Sequence, residues 1–449
     1  MPAWPQRAAR LRALERLLTE QGDAFAAAIS ADFGHRPAEE TQLLELYPSL
    51  SGLRHALRCG RRWMRPRHPA ANCAFWPART SLLPQPLGVV GIIVPWNYPL
   101  FLAVGPLIDA LAAGNRVMLK MSEYTPRFSA LFAAQVVRYF TEDEVVVVTG
   151  DAQVAQAFSA LPFDHLLFTG STPVGREVMR AAAANLTPVT LELGGKSPVI
   201  IGPTARLAHA VERILCGKLA NAGQTCIAPD YVLLPRQHRE AFIELAKATA
   251  MRLYPGLAAQ GQYQYTTILS GRHYERLVGL RDEAVRMGAR LWPLCDGQDD
   301  PLQRRLRPAL LTEVSDAMAV MQQEIFGPLL PVLMYDTFDE AIAYVAAHPR
   351  PLALYLFEQD RAAIGRALSC THAGGVTVND TLCHIAQHHL PFGGIGPSGM
   401  GGYHGETGFR AFSHIKPVFW QSRLSGVRIL NPPYGARFRW LLGWLLRHG

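Results

Sequence analysis

One cysteine lies where a thiol could attack a carbonyl group. Cys226 ends the run Gly-Gln-Thr-Cys, and a cysteine directly after a glycine-containing turn can hold its thiolate in the path of an incoming carbonyl carbon. Most single cysteines are instead small core residues, so Cys226 alone leaves both interpretations open. The core interpretation also covers the other cysteines, none of which lies in a motif: Cys59, Cys73, Cys216, Cys295, Cys370 and Cys383.

Two further segments combine glycines with polar groups. Glu192 stands inside an apolar run and precedes Gly194 and Gly195. It is either paired with a structural cation or tuned by desolvation to act as a base. Residues 168–175, Phe-Thr-Gly-Ser-Thr-Pro-Val-Gly, are typical of a strand, a glycine turn and a helix start whose N–H groups bind a phosphate. Neither segment identifies a function by itself.

The order of such segments along the chain is more specific than any one of them. In chain order they are Pro95-Trp96-Asn97-Tyr98-Pro99, Lys120-x-x-Glu123, the glycine turn at 170–175, Glu192-Leu-Gly-Gly-Lys196, Gly223-Gln-Thr-Cys226, Glu324-Ile-Phe-Gly-Pro328 and Pro391-Phe-Gly-Gly-Ile-Gly-Pro-Ser398. This ordered set resembles the NAD(P)-dependent aldehyde dehydrogenase superfamily, and the resemblance covers nearly the whole chain. The spacing between Glu192 and Cys226 also resembles that family.

The resemblance implies a catalytic role for three residues. Cys226 is expected to be the nucleophile that adds to the aldehyde. The side-chain amide of Asn97, with the backbone N–H of Cys226, is expected to stabilise the oxygen that becomes negative. Glu192 is expected to be the general base that activates water to hydrolyse the resulting thioester.

The resemblance also implies which residues bind the cofactor. A carboxylate beside the adenosine ribose hydrogen-bonds a free 2′-hydroxyl and repels a 2′-phosphate, so Glu123 favours NAD over NADP, although NADP stays open. Phe326 and Trp96 are either residues of the nicotinamide cleft or plain core aromatics. The full set of cofactor residues that the resemblance implies is Trp96, Lys120, Glu123, Gly170, Ser171, Gly175, Leu193, Glu324 and Phe326.

The elements that must position these residues are predicted by alternating strand and helix patterns. The first set has strands at 89–94, 117–120, 145–149 and 165–169 and helices at 100–113, 127–140 and 153–160. The second has strands at 198–201, 231–234, 329–334 and 375–379 and helices at 205–219, 240–253 and 339–348. Such alternation predicts parallel, doubly wound sheets that bind ligands at the carboxyl ends of their strands.

The predicted fold class is α/β and aldehyde dehydrogenase-like, with two doubly wound α/β domains and a small β oligomerisation element. We expect residues 1–68 and 87–193 to form the NAD-binding domain and residues 194–395 the catalytic domain. Residues 69–86 and 408–422 are expected to be oligomerisation strands, and residues 423–449 a basic amphipathic tail.

Composition excludes several classes of protein. Apolar residues make up 49% of the chain and charged residues 18%, which excludes a disordered chain, a collagen and a coiled coil. Seven of the eight net positive charges lie in residues 407–449, so the nearly neutral body argues against nucleic-acid binding. The 7 scattered cysteines include no C-x-x-C pair, which indicates a reducing compartment and an expected cytoplasmic location.

Two segments could be mistaken for targeting or membrane signals. Residues 1–21 are rich in arginine and leucine, but the acidic Glu15, Glu20 and Asp23 interrupt them, which favours the first helix of the fold over an organellar presequence. Residues 80–108 carry no charge, yet five prolines interrupt them. A strand, a turn and a buried helix are therefore expected there instead of a membrane span.

Residues 437–448 predict a short amphipathic helix. Apolar side chains form one arc, with Arg437, Arg439 and Arg447 opposite and Trp440 and Trp444 between. This helix is too short to span a bilayer, but its composition suits reversible contact with a membrane surface. The alternative is docking on the body of the enzyme or on a dimer partner.

One histidine pattern suggests a metal without completing a site. His384 and His388 have the i, i+4 spacing that can hold zinc on a helix, and His389 follows. No glutamate follows the first histidine and no third ligand is evident. No metal is therefore expected.

The branch of the superfamily is indicated by the start and end of the chain. The short segment before Lys120 resembles the class-three-like branch, whose members are typically dimers. Residues 378–384 and 400–405 resemble bacterial coniferyl aldehyde dehydrogenases. An apolar pocket and either an aromatic aldehyde such as coniferyl aldehyde or a medium- or long-chain fatty aldehyde are expected. A CoA-acylating enzyme or a non-catalytic scaffold is disfavoured, because the former usually lacks the residue at Glu192 and the latter would have lost Cys226, Glu192 or Asn97.

Overall fold

The computed structural model describes residues 1–72, 75–255, 264–424 and 429–448, so Cys73 and the final Gly449 of the predicted tail lie outside the described residues. Its helices are α1 (Trp4–Phe33), α2 (Ala38–Thr41), α3 (Tyr47–Trp63), α4 (Phe101–Ala113), α5 (Pro126–Val136), α6 (Ala152–Ser159), α7 (Thr172–Ala183), α8 (Leu207–Leu219), α9 (Arg239–Leu253), α10 (Gly271–Arg286), α11 (Ala319–Gln322), α12 (Phe338–Ala347), α13 (Arg361–Cys370), α14 (Gly405–Ala411) and α15 (Ala436–His448). Its strands are β1 (Arg79–Pro86), β2 (Val89–Ile93), β3 (Arg116–Lys120), β4 (Val145–Val148), β5 (His165–Thr169), β6 (Val189–Glu192), β7 (Pro198–Ile201), β8 (Tyr231–Pro235), β9 (Arg290–Pro293), β10 (Ala309–Thr312), β11 (Leu329–Tyr335), β12 (Ala353–Phe357), β13 (Gly375–Val378), β14 (Gly399–Met400) and β15 (Ser413–Trp420).

The first sheet has the strand order β14-β6-β5-β2-β3-β4. Its neighbours are parallel except β14, which runs antiparallel to β6 and brings the chain back to this sheet after the second sheet is complete. The predicted strands at 89–94, 117–120, 145–149 and 165–169 are confirmed, with ends that differ by at most one residue. Because β3, β5 and β6 end at Lys120, Thr169 and Glu192, these residues share one edge of the sheet.

The second sheet has the strand order β13-β12-β7-β8-β11-β10-β9 and is parallel except for β9. The predicted strands at 198–201, 231–234, 329–334 and 375–379 are confirmed to within a residue. Strands β9, β10 and β12 and helices α10 and α13 were not predicted, because apolar runs of four or five residues do not distinguish a strand from a piece of buried helix. The predicted helix at 127–140 ends earlier, at Val136.

Helix α4 explains the uncharged stretch at 80–108. Every residue of this helix is buried except Gly105, because α1, α3 and α14 pack around it while β2 and β3 lie beneath it. A helix that is apolar all round belongs in the core of a large domain. Among the described residues, no helix is long and apolar enough to cross a membrane.

Two parts of the chain lie outside these sheets. Strands β1 and β15 form a two-stranded antiparallel sheet, and Phe419 and Trp420 at its end are exposed. Helix α15 matches the predicted helix at 437–448, and none of its described side chains is buried. Contact of this helix with the body of the enzyme, with a dimer partner or with a membrane surface stays a prediction.

Candidate active site

The turn that carries Cys226 is held in an uncommon conformation. Asn221, Ala222 and Gly223 have φ of 52°, 53° and 77°, in the left-handed region. A Cβ at Gly223 would lie 2.3 Å from the carbonyl oxygen of Gly327, so only glycine fits there. The turn therefore presents Cys226 at the start of an irregular segment between α8 and β8.

Two tyrosines clamp the residues on either side of the nucleophile. The hydroxyl of Tyr98 is 2.6 Å from the hydroxyl of Thr225, and the hydroxyl of Tyr355 donates to the carbonyl oxygen of Ile227 at 2.5 Å. Both tyrosines are buried. Cys226 itself is partly buried.

Asn97 lies against the same turn. It follows β2 in the Pro95–Pro99 turn, is buried, and its side-chain amide donates to the carbonyl oxygen of Gln224 at 3.2 Å. A side-chain amide carries two N–H donors, and this bond uses one of them. The structure thus places Asn97 and Cys226 together, as the resemblance implies.

Glu192 is a buried carboxyl without a hydrogen-bond partner on either oxygen in the described part of the chain. It ends β6, and its backbone pairs with Gly399 of β14. Burial raises the pKa of this carboxyl well above its usual range. A carboxyl in this state has an increased affinity for a proton, which suits a general base and does not suit the alternative of a paired structural charge.

The thiol and two carboxyls influence one another. Burial, and then the charges of Glu324 and Glu192, raise the pKa of the Cys226 thiol to about 12. The backbone N–H groups of Cys226 and Ile227 act in the opposite direction. A nucleophilic cysteine reacts as the thiolate, so this thiol must transfer its proton to a base when it attacks.

The segment that carries Glu324 and Phe326 is held by three charged side chains. Arg276 donates to the carbonyl oxygens of Glu324 and Ile325, and Lys196 donates to the carbonyl oxygen of Gln323 at 3.0 Å. The carboxylate of Asp230 accepts from the N–H of Ile325 at 3.0 Å. Lys196 belongs to the motif that begins at Glu192, but the motif did not indicate this role. Nothing in the sequence points to Asp230 or Arg276.

Glu324 lies directly over the glycines that follow Glu192. A Cβ at Gly194 would lie 2.0 Å from the carboxylate of Glu324, so these two segments of the chain approach closely. Burial, and then the charge of Asp230, raise the pKa of Glu324 to about 8. One of its oxygens, Oε1, is buried without a partner, which leaves it available to a ligand hydroxyl.

Phe326 and Trp96 are in contact. Their ring centroids lie 5.3 Å apart in an edge-to-face arrangement, and Trp96 also contacts the ring of His273 at 5.0 Å. Phe326 has a φ of 51°, in the left-handed region. Both rings are half-buried, and Trp96 precedes Asn97 directly.

The carboxyl edge of the first sheet carries the other predicted cofactor residues. Lys120 is buried, and its ammonium donates to the carbonyl oxygens of Met121 and Gly150 at 2.8 and 2.9 Å. Burial lowers the pKa of Lys120, against the charges of Glu123 and Asp151. Glu123 is exposed at the end of the same strand.

The glycine turn before α7 is a close-packed cradle. A Cβ at Gly170 would lie 2.5 Å from the ring of Phe168, and a Cβ at Gly175 would lie 2.6 Å from Leu193. Ser171 occupies the N-cap position of α7, and its side chain forms no capping hydrogen bond. The first N–H groups of the helix therefore have no partner within the helix. The buried hydroxyl of Thr169 has no partner, and this donor set fits the pyrophosphate of a dinucleotide.

The histidines of the zinc-like pattern have separate partners. His384 bonds to the hydroxyl of Thr377 at 2.9 Å, and His388 bonds to the hydroxyl of Ser51 at 2.9 Å. Within the described ranges, no group of three or more metal-binding side chains is arranged to hold an ion.

Comparison with known proteins agrees with this geometry. Residues 2–418 match the model of the aldehyde dehydrogenase family. A probable coniferyl aldehyde dehydrogenase from Pseudomonas aeruginosa is 52% identical over 443 residues, covering 98% of this chain and 92% of that protein. A coniferyl aldehyde dehydrogenase from Pseudomonas sp. HR199 is 47% identical, covering 97% of this chain and 92% of that protein.

Solved structures show the same architecture. The substrate-bound state of AldH from Staphylococcus aureus superposes with a TM-score of 0.92 at 38% identity, covering 99% of this chain and 95% of that one. PnpE in complex with nicotinamide adenine dinucleotide superposes with a TM-score of 0.83 at 25% identity, covering 93% of this chain and 86% of that one.

Proposed function

Because the chain belongs to the aldehyde dehydrogenase family, we propose that it oxidises an aromatic aldehyde, coniferyl aldehyde, to the carboxylic acid with NAD. The observation that supports this proposal most directly is the convergence of the Cys226 thiol, the Asn97 amide and the unpartnered Glu192 carboxyl at one cleft. The two relatives named for coniferyl aldehyde extend over nearly the whole chain, which supports the choice of substrate.

Catalysis begins at the sulfur of Cys226. The thiol transfers its proton to a solvent water molecule, the S–C bond forms, and the carbonyl π pair moves to the oxygen. The free N–H of the Asn97 amide and the backbone N–H of Cys226 stabilise that oxygen. NAD, when bound in this cleft, supplies the acceptor for the hydride that leaves the former carbonyl carbon, and the substrate then remains on Cys226 as a thioester.

Hydrolysis of the thioester is assigned to Glu192. Its carboxylate takes a proton from water while the hydroxide oxygen adds to the thioester carbon. The C–S bond breaks, the sulfur recovers a proton, and the acid leaves. The raised pKa of Glu192 makes it a stronger base than an exposed carboxylate.

Residues on the first sheet are proposed to hold the cofactor. The cradle of Gly170, Ser171 and Gly175, backed by Leu193, fits the pyrophosphate. Lys120 and Glu123 are proposed to bind the adenosine ribose, because Lys120 ends β3 at the carboxyl edge and Glu123 follows it by three residues. The negative charge of Glu123 favours NAD over NADP.

The nicotinamide end of the cofactor is assigned to the second sheet. The partnerless oxygen of Glu324 is suited to bind the nicotinamide ribose, and the rings of Phe326 and Trp96 to position the nicotinamide. These roles divide the chain as the sequence predicts, with an NAD-binding domain at 1–68 and 87–193 and a catalytic domain at 194–395.

Apolar side chains packed behind the turn of the nucleophile support an apolar substrate. Tyr98, Phe101 and Leu102 form a separate buried cluster, and Leu44 and Ile385 pack against it. Tyr98 in turn contacts Thr225, the neighbour of Cys226. A fatty aldehyde is the alternative apolar substrate.

A panel of aldehydes tests the proposal. Coniferyl aldehyde, cinnamaldehyde, decanal and acetaldehyde are each supplied with NAD and with NADP, and the absorbance of the reduced cofactor is followed. We expect the highest kcat/KM for coniferyl aldehyde with NAD. A higher kcat/KM for decanal would identify a fatty aldehyde as the substrate. Product formation only when CoA is added would identify a CoA-acylating reaction.

We further propose that the enzyme is a cytoplasmic homodimer. An isolated two-stranded sheet is marginally stable, and β1 with β15 leaves Phe419 and Trp420 exposed, so a second copy of the chain is proposed to cover this sheet. Mass photometry is expected to give twice the 49.4 kDa of one chain. Phe419→Ser with Trp420→Ser should reduce that mass to one chain.

Helix α15 is proposed to bind an anionic membrane surface. Trp440 is 72% exposed and Leu446 is 78% exposed, and residues 407–449 contain no acidic residue. Arginine and tryptophan around an apolar face suit the interface of anionic lipids. The intact protein should sediment with phosphatidylglycerol vesicles at low salt, and the protein lacking residues 436–449 should not. Equal sedimentation of the two proteins would eliminate membrane contact.

A further inference from the structure

A buried charged cluster lies beside the turn that carries Asn97. Its members are Arg36, Glu40 and Glu45, and we call this cluster the Arg36 brace. The guanidinium of Arg36 bonds to the carboxylate of Glu45 at 2.8 Å, and both side chains are fully buried. Glu40 lies on the other side of the guanidinium, at 3.8 Å. None of the three belongs to a motif of the sequence.

The brace contacts both ends of the turn that carries Asn97. Arg36 donates to the backbone carbonyl oxygen of Asn97 at 3.3 Å. The other oxygen of Glu45 accepts from the N–H groups of Leu100 and Phe101, at 2.8 and 3.1 Å, where α4 begins. A carboxylate at a helix N-terminus satisfies donors that have no partner within the helix. The position of Asn97 is therefore set from both sides.

The brace also contacts the turn that carries the nucleophile. Glu40 accepts from the backbone N–H of Asn221 at 2.6 Å, in the left-handed segment before Cys226. The side-chain amide of Asn221 then donates to the carbonyl oxygens of Asn97 and Gln224, at 3.0 and 3.1 Å. The amide of Asn97 completes the loop by donating to the same carbonyl of Gln224.

We propose that Arg36, Glu40 and Glu45 are positioning residues for the oxyanion hole, holding the Asn97 amide and the Cys226 turn at the separation that the reacting carbonyl oxygen requires. This inference rests on the proposed function, because it assumes that both groups face that oxygen. Residues outside the two sheets, in the N-terminal segment, thereby set the geometry of the reaction centre.

The charges of the brace are better explained by positioning than by stability. The attraction within a buried ion pair often does not recover the cost of desolvating the two charges. Well-packed apolar residues of similar volume often give a protein that is equally stable or more stable. The guanidinium additionally lies 5.4 Å from the ring centre of Phe33 and 5.0 Å from that of Tyr98, which restrict its movement. Its Nη1 donates to both Glu45 and Asn97, whereas Nε and Nη2 are buried without a hydrogen-bond partner among the described residues. A planar guanidinium suits such a fixed orientation more than a flexible ammonium does.

Arg36→Met tests the proposal, with Arg7→Met as a matched control. Arg7 is also a buried arginine that donates to backbone carbonyls of α4, but at the opposite end, where Ala112 and Ala113 accept at 3.0 and 2.5 Å. Both variants should unfold at a lower temperature than wild type, because each removes bonds to a buried carbonyl. Only Arg36 contacts the catalytic turns.

The decisive quantity is the single-turnover rate constant for formation of reduced cofactor, with enzyme and NAD in excess over coniferyl aldehyde. We expect Arg36→Met to lower it about 10- to 100-fold, since small misplacement of an oxyanion donor costs up to that factor, with KM for NAD unchanged. Arg7→Met should leave it within about twofold of wild type. Arg36→Lys, which keeps the cation, should give an intermediate value.

Three results would overturn the proposal. Equal rate constants for Arg36→Met, Arg7→Met and wild type would show that the brace only stabilises the fold, because loss of folded protein lowers the amount of active enzyme and not this constant. If Arg36→Met does not fold, an Arg36→Lys rate constant equal to wild type has the same meaning. A wild-type enzyme without turnover on any aldehyde would instead overturn the proposed function, and the positioning role with it.

Discussion

Replacing Glu192 by glutamine should separate the two chemical stages of the reaction. The substitution removes the base and keeps the volume of the side chain, in a site where neither carboxyl oxygen has a hydrogen-bond partner among the described residues. Formation of the thioester depends on Cys226, Asn97 and the cofactor. Hydrolysis of the thioester depends on a base that deprotonates water, and this stage should slow most.

The size of the effect follows from the isolation of Glu192. General-base catalysis contributes about 10²- to 10⁴-fold, which corresponds to about 3–5 kcal/mol of activation free energy. No hydrogen bond of the carboxyl is lost, so we expect the full factor in the steady-state rate and at most about a threefold change in thioester formation. Because burial raises the pKa of this carboxyl well above its usual range and so disfavours its charged form, a neutral amide of the same size should cost little stability.

Stopped-flow absorbance of the reduced cofactor is the assay. Mixing the variant with NAD and excess coniferyl aldehyde should give a burst approaching one equivalent per active site, followed by slow turnover. A burst rate constant that falls as much as the steady-state rate would refute this division of labour. It would mean that Glu192 also accepts the proton of the Cys226 thiol, whose pKa of about 12 requires a base.

Three further predictions concern the same groups. Cys226→Ala should abolish turnover. It should leave the affinity for NAD, measured by fluorescence titration, within about threefold of wild type, because the proposed cofactor contacts lie elsewhere. Retention of a tenth of the wild-type turnover would contradict the assignment of Cys226 as the nucleophile. Glu123→Gln should raise kcat/KM with NADP about tenfold relative to NAD, since it removes a charge beside the 2′-phosphate, and an unchanged ratio would remove Glu123 from the ribose site. The melting temperature of wild type should fall relative to that of Glu192→Gln as the pH rises from about 4.5 to the raised pKa of Glu192. The reason is that the native carboxyl retains a proton that the unfolded chain releases in this range. Melting temperatures that stay parallel across the range would show that Glu192 has an ordinary pKa.

The strands of both sheets could be predicted because their periodicity is local. Runs such as 89–94 and 198–201 are apolar on both faces, as parallel strands between helices must be. Strand β14 could not be predicted in this way, since two residues carry no periodicity and their place beside Glu192 depends on the path of the whole chain. The surface that α15 contacts could not be predicted for a related reason, because amphipathicity does not say which surface the apolar face meets.

Some residues of the candidate site could likewise be predicted from local sequence, and others could not. Cys226, Glu192 and Asn97 stand in segments whose glycines and polar groups are unusual for their surroundings, so the sequence shows them. Arg36 lies in the short non-helical segment between α1 and α2, and Glu45 lies in a π-helical turn between α2 and α3. Neither belongs to a motif, and their importance appears only where they meet Asn97 and the start of α4. A hydrogen bond between residues 61 positions apart has no signature in composition or spacing.

Mass spectrometry of the intact Glu192→Gln enzyme, acid-quenched after mixing with coniferyl aldehyde and NAD, detects the proposed covalent intermediate itself. We expect a mass increase of one acyl group per chain, located by peptide mapping on Cys226 and absent when NAD is omitted. An acyl group on any other cysteine, or rapid formation of reduced cofactor without an acylated enzyme in any acid-quenched sample, would contradict a Cys226 thioester that Glu192 hydrolyses.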